Sequence, residues 1–67
     1  MIEVTVTHPS GLRDEAEADT YEDAHLAAQT LYDEMREANP YQGFQRSMTL
    51  AFTVEGKTVR SYTGERP

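Results

Sequence analysis

Two histidines and a dense run of carboxylates are the first groups in this 67-residue chain that suggest chemistry. His8 stands beside Pro9, and His25 lies in a stretch with helical spacing. The chain has no cysteine, and its serines fall in expected turns or strands, so no side chain reads as an activated nucleophile. A Cys-based zinc site is excluded. A two-histidine metal site would need the fold to join His8, His25 and a carboxylate, and both are read as non-catalytic. The run Asp14-Glu15-Ala16-Glu17-Ala18-Asp19 is rich in hard-cation ligands. A calcium loop, however, needs acids spaced around a turn-forming glycine and closed by a bidentate Glu. This run has no glycine and sits where a strand is expected, so solvated surface charge is the better reading. A glycosidase pair of carboxylates would need a cleft that so short a chain hardly offers. The expectation is therefore a protein that is not an enzyme, with no cofactor and no metal.

Charge narrows the partners. Twelve acids against six bases give a net charge of −6. Residues 14–37 hold nine of the acids and a single base, Arg36, a local charge of −8. Residues 38–67 carry Arg46, Lys57, Arg60 and Arg66 against Glu55 and Glu65. A negative field repels phosphate, so direct nucleic-acid binding is disfavoured. The N-terminus lacks a basic region followed by an apolar core, and no apolar run nears the roughly 20 residues that span a bilayer. A soluble, cytoplasmic protein without membrane contact is expected. Five of the six bases are Arg and alanine is abundant, a codon-level sign of a GC-rich genome.

The elements that must position these groups follow from periodicity. Ile2, Val4 and Val6 alternate with Glu3, Thr5 and Thr7, the pattern of a half-buried strand. His8-Pro9-Ser10-Gly11 supplies a turn, and Leu12–Asp19 reads as the return strand, with helix its competitor. Thr20 is a helix cap and Asp23 its box partner. Tyr21, Ala24, Ala28, Leu31, Met35 and Ala38 then form one apolar stripe, so a helix is predicted over 21–38, ended by Asn39-Pro40. Residues 41–46 read as a loop. Met48, Leu50, Phe52 and Val54 alternate again, Glu55-Gly56 is a two-residue turn, and Lys57–Thr63 is the partner strand. An unbroken hairpin would set Val54 against Lys57, Phe52 against Val59 and Leu50 against Ser61. The expected fold is α+β, β-β-α-β-β, with one helix on one face of a four-stranded antiparallel sheet made of two hairpins. Residues 1–63 make a single domain, and 64–67 fray. The core is read as Ile2, Val4, Val6, Leu12, Ala16, Ala18, the helix stripe, Met48, Leu50, Phe52, Val54 and Val59.

Three surfaces remain. Leu26, with Thr30 beside it, lies on the polar side of the helix and could seed a contact. His25, Gln29, Tyr32 and Arg36 form a flank stripe at the edge of the buried face. The sheet face away from the helix is expected to show Arg60 and Tyr62, weakly like a base-stacking platform but with one clear aromatic and several acids. The run Thr20-Tyr21-Glu22-Asp23-Ala24 through Leu31-Tyr32-Asp33-Glu34, followed by Thr58-Val59-Arg60-Ser61-Tyr62, resembles small uncharacterised proteins of actinobacteria and their phages. The resemblance implies a source and carries over no functional residue.

Two functions suit these features. One is a non-enzymatic interaction module that binds a protein partner or a second copy of itself. A small core, an open sheet face and free strand edges point that way, since a 60-residue domain buries only about 60% of its unfolded surface. The other is a nucleic-acid-mimicking inhibitor of a DNA- or RNA-binding protein, using Glu15, Glu17, Glu22, Asp33 and Glu37. The same acids would also serve solubility at high salt.

Overall fold

The computed structural model describes residues 1–41 and 43–67. A first hairpin joins β1 (Ile2–Thr7) to β2 (Arg13–Ala18), and α1 (Tyr21–Ala38) follows. A short 3-10 helix (Phe44–Ser47) leads into β3 (Thr49–Val54), which pairs with β4 (Lys57–Thr63). The four strands make one antiparallel sheet in the order β2-β1-β3-β4. The α+β class, the element order and the helix on one sheet face are as the sequence predicts. The expected loop over 41–46 is partly the 3-10 helix, and Gln42 lies outside the described residues.

Local chemistry sets the helix ends. Thr20 takes an extended conformation, and its Oγ1 accepts from the Asp23 N–H at 3.1 Å. Glu22 and Asp23 place negative charge at the positive end of the helix dipole. At the other end the Asn39 N–H donates to the Arg36 and Met35 carbonyls, and its Nδ2 donates to Met35 at 3.0 Å. Pro40 cannot continue the ladder. In the second hairpin Glu55 and Gly56 both take positive φ, 51° and 80°, the requirement of a two-residue turn that matches strand twist.

Ile2, Val4 and Val6 from β1, Met48 before β3, Leu50 and Phe52 on it, and Ala24, Ala28, Leu31 and Tyr32 from α1 form the core. Ala16, Ala18, Met35, Phe44, Val54 and Tyr62 pack against it, half-buried. The helix lies over β1 and β2 and scarcely covers β3. Two alanines on its inner side let it approach closely there, and the rest of the sheet must be covered otherwise. Tyr32 does part of that. It is only 3% exposed, although the stripe places it on the flank. Tyr21, expected inside, is 54% exposed, and Ala38 is also exposed. Leu12 precedes β2 and stays 42% exposed, so it does not join the core.

The second hairpin departs from the unbroken register. Val54 pairs Lys57 and Thr53 pairs Thr58, but Phe52 then pairs Arg60 and Leu50 pairs Tyr62. Val59 is the extra residue of a β-bulge, and it is 47% exposed where a core position was expected. Because side chains alternate at every residue, this one insertion moves all later side chains of β4 to the opposite face. Arg60 and Tyr62 therefore lie on the helix side of the sheet, against the expectation that they mark the open face.

The last four residues, expected to fray, make contacts with the rest of the domain. The Gly64 N–H donates to the Met48 carbonyl at 2.9 Å, Arg66 reaches Asp33, and the Pro67 carbonyl accepts from Gln29.

Candidate interaction surfaces

The open sheet face is a grid built by register. Arg13, Thr7, Thr49 and Thr63 form one row across the strands. Glu15, Thr5, Ala51 and Ser61 form the next, and Glu17, Glu3, Thr53 and Thr58 the third. No aromatic stands in these rows, so the face has nothing on which bases could stack. Its charge is confined to the β1 and β2 side, where Arg13 pairs with Glu15 at 2.6 Å. The β3 and β4 side is short, neutral and hydroxyl-rich.

The two free sheet edges differ sharply. The β2 edge carries Asp14, Glu15 and Glu17, and the Asp14 Oδ1 accepts from the Glu15 N–H at 2.9 Å. By register Asp14 stands opposite Val6, on the helix side, as an inward-pointing charge. Such charges are a standard guard against strand addition. The β4 edge, Lys57–Thr63, has no carboxylate at all. It offers Thr58, Val59, Ser61 and Thr63 in exposed positions, with Lys57 and Arg60 as its charges.

Between α1 and β4 runs a seam closed by aromatic rings. His25 meets Phe52 edge-on at 5.5 Å and Tyr62 at 6.1 Å, and Phe52 and Tyr62 are 5.9 Å apart. Edge and tilted pairs at these distances suit the ring quadrupoles and add to burial. His25 and Tyr62 thus roof the part of the sheet that the offset helix leaves bare. The flank stripe of His25, Gln29 and Tyr32 faces this seam. Further along it, Arg66 donates through Nε and Nη2 to both oxygens of Asp33, each at 3.0 Å. That fork holds the Asp33 carboxyl below its ordinary value, and Asp33 in turn raises Arg66.

The other candidates are dispersed. Leu26 is 58% exposed with Glu22 and Thr30 a turn away on either side, and the Thr30 Oγ1 is spent on the Leu26 carbonyl at 3.0 Å. Of the five named acids, Glu15 and Glu17 belong to the open sheet face, whereas Glu22, Asp33 and Glu37 belong to the helix on the other side. Glu15 and Asp33 already have arginine partners. The structure thus divides the acidic segment between two faces.

Sequence reasoning missed the setting of His8. Its ring stacks on Phe44 at 3.6 Å, and its Nδ1 lies 2.8 Å from the Ser10 Oγ and accepts from the Ser10 N–H at 3.1 Å. This serine–histidine contact spans two residues of one turn, and the backbone bond gives it the role of closing that turn. Among the described residues no three His, Cys, Asp or Glu side chains converge as metal ligands. An open groove of about 590 Å³ at the end of the helix is lined by Arg36, Glu37, Asn39, Tyr41 and Arg46, with Asp33 at its side. Its two guanidinium groups and two carboxylates select no ligand charge. Among the described residues no helix is long and apolar enough to cross a membrane. Comparison with known proteins finds no matching family model, no similar curated protein and no similar solved structure. The class that fold and surfaces define is a small α+β protein whose two free sheet edges differ in charge, acidic along β2 and basic along β4.

Proposed function

We propose that this chain is a small non-enzymatic interaction module of the cytoplasm that self-associates by pairing the β4 edges of two copies. One observation carries the reading: the β2 edge is lined with carboxylates, whereas β4 has none. Pairing β2 with β2 would set like charges against each other, which destabilises a ladder. Antiparallel pairing of β4 about a two-fold axis at Ser61 sets Arg60 of each copy across from Tyr62 of the other. Such cation–π contacts contribute about 0.5–1 kcal/mol each at exposed sites. The result is a continuous eight-stranded sheet with an isologous interface. The division of the acids between two faces lends less support to nucleic-acid mimicry, which needs them in one array.

The test uses the axis residue. Ser61 is exposed, so Ser61→Glu and Ser61→Lys should each fold. Each should sediment as a monomer at concentrations where the native chain is a dimer, and an equimolar mixture should restore the dimer. A native chain that is strictly monomeric at several hundred micromolar, or dimers indifferent to both substitutions, would falsify the proposal.

A further inference from the structure

Arg66 and Pro67 lie on α1 in the way that a bound peptide would. At one end the Gly64 N–H donates to the Met48 carbonyl at 2.9 Å. Gly64 has φ +77°, and a Cβ there would stand 3.1 Å from the Arg46 carbonyl oxygen, so the chain turns towards the helix at a point only glycine fits well. In the middle, the Arg66 fork grips both oxygens of Asp33. At the far end the Gln29 Nε2 donates to the Pro67 carbonyl at 2.8 Å in a partly buried bond. Gln29 and Asp33 are four residues apart and so share one helix face. Tyr32, the neighbour of Asp33 in the chain, is buried. A carboxylate matched to a guanidinium and an amide matched to the next carbonyl make a two-point reader of an arginine-bearing segment. A bidentate fork selects Arg over Lys by geometry.

We propose that the Gln29–Asp33 flank of α1 is a docking site for an Arg-Pro segment of a partner protein, and that residues 64–67 hold it in cis as a competing pseudo-ligand. The site is separate from the β4 edge and does not depend on self-association. A short tether gives its own segment a millimolar effective concentration. A partner must outbid that, and any event that frees Arg66 opens the site.

The probe is the amidated peptide Ser-Tyr-Thr-Gly-Glu-Arg-Pro, titrated into the full chain and followed by amide NMR. Arg66 is exposed, so Arg66→Ala should keep a dispersed native spectrum while vacating the carboxylate. In that variant the peptide should give saturable shifts at the Gln29 side-chain amide, Tyr32 and Asp33. The native chain should need about tenfold more peptide, because its own segment competes. A peptide with Arg replaced by Gln should give no such shifts, and neither should the double variant Arg66→Ala, Asp33→Asn. The proposal is overturned if Arg66→Ala shows no saturable response, if the Gln peptide acts equally well, or if the shifts fall on β4 amides instead.

Discussion

Deletion of Val59 is the sharpest test of the register that places Arg60 and Tyr62. In the bulged hairpin, Val59 is the residue without a partner, and the pairs Thr53–Thr58 and Phe52–Arg60 flank it. Removing it should let those pairs close into a regular ladder with every other side chain on its present face. Val59 is 47% exposed, so about half of a valine's burial is lost, on the order of 1 kcal/mol. Closing the ladder restores backbone pairing of similar size, roughly 0.5–1.5 kcal/mol. The deletion should therefore unfold within about 1 kcal/mol of the native chain in urea. Its NOE contacts from Tyr62 to His25 and Phe52 should persist. An unbulged hairpin with Val59 opposite Phe52 makes the contrary prediction. There the deletion would drive Arg60 against Phe52 and move residues 60–63 to the wrong face, costing on the order of 3 kcal/mol or more. A loss of that size, or Tyr62 contacts that appear only after the deletion, would refute the bulge.

Phe52 is fully buried at the centre of the ring cluster, so Phe52→Ala should cost about 3–5 kcal/mol in urea unfolding, and a loss below about 1 kcal/mol would contradict that packing. Acid should release residues 64–67. Because Arg66 depresses the Asp33 pKa, the contact is fully present above the ordinary value of 3.8 and is lost as pH falls through the lower folded value. NMR titration should show the Gln29 side-chain amide and the Asp33 carboxyl changing together with a midpoint below 3.8, and Arg66→Ala should move that midpoint upward. A midpoint at or above 3.8 in the native chain would contradict the ion pair.

The parts of this fold that were legible in sequence are those where one period dominates. Ile2, Val4 and Val6 admit only a half-buried strand, and Thr20 with Asp23 marks the helix start to the residue. The bulge had no comparable signal. Lys57–Thr63 alternates acceptably in either register, because threonine, serine and valine suit both faces of an edge strand. An unbroken hairpin about Glu55-Gly56 puts Arg60 and Tyr62 on the open face, and the bulge puts them on the other. Tyr32 departs from its expected flank position because a helical stripe shows which side is apolar but not where the helix sits over the sheet. The offset towards β1 and β2 is a tertiary fact, and it is what brings Tyr32 inside and makes His25 a roof. Residues 64–67 look like a polar tail in isolation. The one sequence hint was that Arg66 and Asp33 carry opposite charge, and nothing local says that they meet.

The position of β1 bears on how the molecule is made. The first of the four strands in chain order lies in the middle of the sheet, with Ile2 paired to Ala18 on one side and to Val54 on the other. The early hairpin and the helix can form from neighbours in sequence, but the β1–β3 ladder must close a loop of roughly forty residues, from Thr7 to Thr49. Such non-local pairing slows folding. Until Thr49–Val54 has left the ribosome, one side of β1 stands unpaired beside an incomplete core. The nascent chain is therefore most exposed to aggregation in the interval before β3 emerges, when the half-built core is flanked by the acids of β2 and α1.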